Sequence, residues 1–249
     1  MQIAVAGGTG LVGRLVVEEV RRTGATPVVL ARSAGVDLTT GAGLDAALAG
    51  ADTVVDAVID VSNVETMSGT VSVGFFEAAT THLLDAGRRA GVRHHVALSI
   101  VGCDRVDLPY YLGKRRQEEL VAAGPVPWTV LRATQFHEFA GQLVDRSPGP
   151  LALAPRMRSQ PVAAREVASA LVAAAVDRPA GLLPDLAGPR EERLDVLVRA
   201  ELRRRGQRRV VVPLPLAGRT GRQVAAGGLL PGDGATLGTQ TFEEWAAGA

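Results

Sequence analysis

Three observations predict a doubly wound parallel α/β sheet carrying a small C-terminal portion. The first is Met1 to Leu15, MQIAVAGGTGLVGRL, where an apolar run passes through a glycine turn into an amphipathic pattern. The second is the alternation that follows, of short Val- and Leu-rich runs with helical periodicities, as in consecutive βαβ units. The third is size: 249 residues without an internal repeat suit one domain spanning 1–249, with 133–249 as an elaboration at one edge.

Gln2 to Ala6 reads as a strand buried on both faces. Glycines then fall at 7, 10 and 13, a Gly-x-x-Gly-x-x-Gly spacing between strand and helix. Gly7 allows a sharp turn, Gly10 removes a side chain where the backbone approaches a pyrophosphate, and Gly13 lets the helix lie against the strand. Thr9 and the first-turn N–H groups of Leu11, Val12 and Gly13 then face the phosphates at the positive end of the helix dipole. One such turn implies one bound dinucleotide.

Thr26 to Ala31 is the second strand, ending at Arg32 and Ser33. An acid there would accept from a ribose 2′-OH, whereas an arginine pairs with a 2′-phosphate. Arg32 supplies the fork and Ser33 a hydroxyl, so NADP(H) is the expected cofactor. Asp37 and Leu38 are expected to make a brief third strand, with Asp37 either accepting from the adenine amine or serving a turn. Leu44 to Leu48 reads as a short helix and Asp52 to Val58 as the fourth strand. The polar connection 60–70, with Ser62, Asn63 and Thr66, suits the nicotinamide side. A long helix over Val71 to Ala90 turns Val73, Phe76, Leu83 and Leu84 inward. Val92 to Ile100 is the fifth strand. His94 and His95 open it on opposite faces, away from the carboxyl end, so they are read as structural and no metal is expected.

Ser99 closes that strand. Pro109 to Gly124 then reads as a helix on which Tyr110 and Lys114, four apart, share a face. A phenol delivers a proton to a developing alkoxide when a nearby ammonium lowers its pKa, and Ser99 can orient the carbonyl. The plain alternative is a tyrosine packed on the sheet beside a solvated lysine. Val126 to Arg132 is the sixth strand. Gln135, Phe136 and His137 beyond it are placed on the substrate side, Phe136 with Phe139 as an apolar wall and Gln135 or His137 as a partner for a carbonyl or quinone oxygen; an ordinary polar loop residue is the alternative for His137. Ser147 to Pro161 is expected to hold a hairpin over the site. Helices follow at Ala164 to Val176 and Arg193 to Arg204. Gly218 to Gly238 is expected to be a mobile lid, and Thr241 to Ala246 a last helix docked by Phe242 and Trp245.

The 27 basic and 26 acidic residues leave a formal charge of +1, which argues against nucleic-acid or membrane partners. The arginines around 203–209 suit a helix C-terminus instead. A single cysteine, Cys103, excludes an internal disulfide. No apolar segment is long enough to span a bilayer, and no basic start with a cleavage site is present, so a cytoplasmic monomer or small homo-oligomer acting on a small molecule is expected.

GGTGLVG, LARS, ALSIVG and YYLGK resemble the short-chain dehydrogenase/reductase superfamily, and with WTVLRATQFHEF they are similar to its atypical, NmrA-like NAD(P)H-binding branch. The resemblance covers most of 1–180. It implies a Rossmann fold with a C-terminal substrate-binding portion, Gly7, Gly10 and Gly13 on the pyrophosphate, Arg32 and Ser33 on the 2′-phosphate, and Ser99, Tyr110 and Lys114 as the catalytic set. The interval from Ser99 to Tyr110 is shorter than in common members, and no asparagine is placed for their proton relay. The implied function is NADPH-dependent reduction of a carbonyl or quinone. The alternatives are a non-catalytic sensor of NADP(H) acting through a protein partner and, third, an isomerase or epimerase of nucleotide sugars.

Overall fold

The computed structural model describes residues 1–59 and 68–248. The N-terminal elements are β1 (Gln2–Ala6), α1 (Leu11–Arg22), β2 (Thr26–Leu30), α2 (Leu44–Ala47) and β3 (Thr53–Asp56). They are followed by α3 (Gly69–Ala90), β4 (His94–Ile100), α4 (Pro109–Ala123) and β5 (Trp128–Ala133). The remaining chain forms α5 (Glu138–Arg146), β6 (Leu151–Pro155), β7 (Arg158–Ser159), α6 (Ala164–Val176), β8 (Gly181–Leu182), β9 (Leu186–Ala187) and β10 (Glu192–Arg193). It ends with α7 (Leu194–Arg204), β11 (Val210–Leu214), α8 (Gly218–Ala225), β12 (Thr236–Leu237) and α9 (Phe242–Gly248).

The main sheet has the order β12-β9-β5-β4-β3-β1-β2, with β8 also on β5, and every recorded pair is parallel. β1 does not alternate because both its faces are covered: Ile3 and Val5 enter the core beneath α1 and α6, Ala4 and Ala6 the core beneath α2 and α3. The chain leaves β1 for β2 on one side and returns to β3 on the other. The carboxyl ends of β1 and β3 therefore part at a topological switch point, where open α/β sheets bind ligands. α3 starts at Ser68, whose hydroxyl accepts from Val71 N, and stops at Gly91 in the left-handed region (φ 74°). A separate small core, built from Val144, Ala154, Leu197, Leu202 and Phe242, holds the C-terminal elements together.

Three expectations need correction. Asp37 and Leu38 form no strand; Asp37 Oδ1 accepts from the N–H and hydroxyl of Thr39 at 2.8 and 2.6 Å, an Asx turn in place of strand pairing. Ser147 to Pro161 makes no hairpin: although only Arg156 and Met157 separate β6 from β7, the two strands do not pair with each other and each finds a distant partner. β6 runs parallel to β11, and β7 antiparallel to β10. Residues 218–238 are not a loose lid. They fold as α8 and β12, anchored by buried Val224 and Leu229, and a Cβ on Gly102 would lie 2.1 Å from Gly228 O, so glycine serves close backbone approach there. Ser62, Asn63 and Thr66 lie outside the described residues. Among the described residues no helix is long and apolar enough to cross a membrane, and no cluster of His, Cys, Asp and Glu could hold a metal.

Candidate functional site at the switch point

The glycine turn is closed by its own backbone. Gly7 sits at φ +72°, donates to Leu30 O at 3.2 Å, and accepts from Gly10 N at 2.8 Å. A Cβ on Gly13 would fall 2.0 Å from Gly7 O, so only glycine lets α1 start this close to β1. The cap residue of α1 is Gly10, which has no side chain to satisfy the first turn. The N–H groups of Leu11, Val12 and Gly13 precede any carbonyl within the helix that could pair with them, and they are offered to an anion. Exposed Thr9 lies beside them, and exposed Arg32 and Ser33 open a 3-10 turn at the carboxyl end of neighbouring β2. This glycine floor with its donors fits the pyrophosphate and ribose end of a dinucleotide. Asp37, held in its Asx turn, lies in the loop that follows.

The carboxyl end of β3 joins that cradle to the lysine. A Cβ on Gly7 would lie 2.9 Å from Ala57 O, and the next residue, Val58, accepts from Lys114 Nζ at 3.1 Å. Lys114 Nζ also donates to Leu98 O at 2.8 Å and Gln117 Oε1 at 2.9 Å, so all three of its protons are engaged. Gln117 Nε2 in turn donates to Asp56 Oδ2 at 2.8 Å, which links the ammonium to a buried carboxylate. Burial pulls the Lys114 ammonium down to about 8, and the nearby Asp56 charge offsets part of that effect. Its nitrogen sits 4.6 Å from the centroid of the Phe76 ring. Half-buried Tyr110 packs edge-on against the same ring, 5.7 Å between centroids. Phe76 is thus the shared neighbour of Tyr110 and Lys114.

Ser99 faces a second group. Its hydroxyl is 3.7 Å from Cys103 Sγ, which donates to Glu118 Oε1 at 3.2 Å. Glu118 makes a two-pronged pair with Arg132 at 2.9 and 2.6 Å. Burial, reinforced by Glu118, pushes the Cys103 thiol up to about 12, so it stays protonated. Tyr111, rather than Tyr110, reaches the substrate-side strand end: its hydroxyl accepts from Gln135 Nε2 at 2.9 Å, and Gln135 Oε1 accepts from Ser159 at 3.0 Å. Burial raises the Tyr111 phenol well above its ordinary value.

Phe136 pairs its backbone with Val162 and packs on the α1–α6 core. His137 is buried under α9, with Nε2 3.1 Å from Gln240 O and its ring between Phe242 and Trp245. The docking of the last helix by those two aromatics follows the sequence expectation, as does the structural role of His94, whose Nε2 lies 2.8 Å from Thr129 Oγ1. Sequence reasoning missed Gln117 and Asp56. The available signals were an amide three residues after Lys114 on one helix and an acid at a strand's carboxyl end.

A family model described as NAD(P)H-binding matches residues 7–178. A curated relative, the (4-alkanoyl-5-oxo-2,5-dihydrofuran-3-yl)methyl phosphate reductase of Streptomyces griseus subsp. griseus, is 32% identical over 148 residues. That match covers 54% of this chain and spans about half of the relative, 48%. Among solved structures, the NADPH-dependent quinone oxidoreductase of Escherichia coli in complex with NADPH superposes with a TM-score of 0.70 at 18% identity, covering 99% of each chain. A short-chain dehydrogenase/reductase superfamily protein of Agrobacterium tumefaciens with bound NAD gives 0.69 at 19% identity, covering 100% of this chain and 95% of that one. These likenesses establish a Rossmann-type fold, and the match from Gly7 onward takes in the cradle built by Gly7, Gly10 and Gly13. The chain belongs to the NAD(P)H-binding family.

Proposed function

We propose that this protein is an NADPH-dependent oxidoreductase that reduces a carbonyl or quinone. The observation that carries the reading is the Ala57–Val58 segment, which floors the glycine turn on one side and takes the buried Lys114 ammonium on the other. This supports a lysine beside the dinucleotide cradle, with Tyr110 one helical turn before it and sharing its Phe76 neighbour. The likeness to a named reductase supports oxidoreductase chemistry, and Arg32 with Ser33 supports the phosphorylated cofactor.

Gly7, Thr9, Gly10, Leu11, Val12 and Gly13 would hold the pyrophosphate, Arg32 and Ser33 the 2′-phosphate, and Asp37 the adenine edge. When bound, the nicotinamide supplies the hydride. Tyr110 delivers the proton to the developing alkoxide oxygen, and the Lys114 charge favours the phenolate left behind. Ser99 donates to the substrate oxygen and orients it. Gln135 borders the substrate side through its hold on Tyr111, whereas the side chains of Phe136 and His137 are taken up by the α1–α6 core and by α9 and are not proposed to touch substrate.

The filled hydrogen-bonding capacity of Lys114 and the Ser99–Cys103 contact favour a second reading, a protein that binds NADP(H) and signals through a partner without turnover. NADPH oxidation with a panel of quinones, aldehydes and ketones, wild type beside Tyr110→Phe, separates the two. The reductase reading expects turnover in wild type and a loss of about 10²-fold or more in the variant, with NADPH affinity kept. Equal turnover in both removes Tyr110 from the mechanism. No turnover anywhere, with tight NADPH binding, overturns the reductase and leaves the sensor.

A further inference from the structure

Outside the dinucleotide cradle, a cavity of about 530 Å³ opens between the β6–β7 link, β10 and α8, a volume suited to a small-molecule ligand. Three arginines line it: Arg156, Arg158 and Arg193. Against them stands one lining carboxylate, Asp195, and Glu191 pairs with Arg158 beside the cavity, so the positive charge left over is centred on Arg156.

The charge is concentrated by the fold. Arg158 and Arg193 are directly opposite each other in the antiparallel β7–β10 pair, an arrangement that like charges disfavour. Each is partly neutralised from behind. Glu191 takes Arg158 with both oxygens at 2.5 Å, and buried Asp195 takes Arg193 at 3.1 Å while also holding Arg199. Arg156 is exposed and makes no side-chain hydrogen bond or ion pair among the described residues. An unpaired fork beside a facing arginine pair matches the donor pattern that holds a dianionic oxygen group.

The cavity adjoins the proposed substrate side. Met157 and Val224, which line it, pack in the same apolar cluster as Tyr110 and Tyr111. Ser159, the neighbour of Arg158 on β7, hydrogen-bonds Gln135, which holds Tyr111.

We infer that this cavity is the substrate-anchoring subsite and that the substrate is a carbonyl compound bearing a phosphate ester, with Arg156 as the principal ligand to the phosphate. The inference rests on the reductase reading for the carbonyl and on the arginines alone for the phosphate. The apolar side, Met157 and Val224, leads from the anchored phosphate toward the tyrosines.

Calorimetric titration of the NADPH-saturated protein with dihydroxyacetone phosphate and with dihydroxyacetone tests it. The phosphate ester is expected to bind at least about tenfold more tightly, and Arg156→Ala to abolish that preference. Because Arg156 is exposed, the variant is expected to keep the wild-type melting temperature, and Arg156→Lys to restore part of the preference by charge alone. Equal binding of the two probes, no binding of the phosphate ester, or a preference untouched by Arg156→Ala overturns the subsite. Binding of the ester, with no NADPH oxidation by any quinone, aldehyde or ketone of the panel, keeps the subsite and overturns the reductase. Oxidation with neutral carbonyls alongside equal probe binding does the reverse.

Discussion

Arg32 is the residue on which cofactor choice turns. It leaves the carboxyl end of β2 with no acid between Val28 and Val36, is exposed, and shares its 3-10 turn with Ser33. A fork on a 2′-phosphate makes charge-assisted hydrogen bonds, each contributing about 1.5–3 kcal/mol. Arg32→Ala is therefore expected to weaken NADPH binding by about tenfold or more and to leave NADH nearly unchanged. Fluorescence titration of both cofactors checks this, and a parallel loss for both would assign Arg32 no part in selectivity. At this scale the spacing of Tyr110 and Lys114 was readable, because four residues on a helix always share a face. The Gln117–Asp56 bridge was not, since it joins residues 61 apart that meet only when α4 lies over β3.

The element that presents Tyr110 and Lys114 is held in place by a glycine. α3 and α4 pack tightly where a Cβ on Gly113 would meet Ser72 Oγ at 2.4 Å and Phe76 Cδ2 at 2.6 Å. Phe76 is also the ring shared by Tyr110 and Lys114, so widening this contact disturbs the site directly. Gly113→Ala is expected to destabilise by about 1–3 kcal/mol through overpacking. Gly74→Ala, on the exposed face of α3 with nothing within 4 Å, is expected to stabilise by about 0.5–1 kcal/mol. Urea melts of the two variants decide the matter, and a stable, active Gly113→Ala would show that the two helices adjust freely. The long elements were legible because α3 and α6 bury enough apolar residues to impose a helical period on the sequence. The short strands were not. Two-residue β7 and β10 carry no period of their own, and β6 takes its register from β11 some sixty residues later. The strand expected at Asp37 failed for the opposite reason, a local turn that outcompetes pairing.

Across the whole molecule the near-balance of charge reflects internal pairing. Glu201, almost wholly buried, holds Arg204 and Arg205, and Arg209 donates to the carbonyls of Val144, Ser147 and Leu151. The arginines near the end of α7 thus tie the C-terminal core to α5. The histidines are a different matter, because the fold buries three of them without a full set of partners. His94 and His137 each have a buried Nδ1 with no hydrogen-bond partner, and His95 Nε2 stands 3.8 Å from Asp56 Oδ2, too far for a hydrogen bond. Burial lowers the pKa of all three below 6.5. Below about pH 6.5 the unfolded chain therefore takes up protons that the folded one refuses, and stability falls as pH drops through that window toward the lowered folded values. Each full proton of difference costs about 1.4 kcal/mol per pH unit. The carboxylates held low by their ion pairs lose their contribution only nearer pH 4, outside this range. Urea denaturation at about pH 7.5, 6.5 and 5.5 is expected to show stability falling between the last two points. His95→Gln is expected to flatten that fall by up to one proton. A midpoint constant across all three values would mean that the buried imidazoles accept protons in place, and that the core around β4 admits charge.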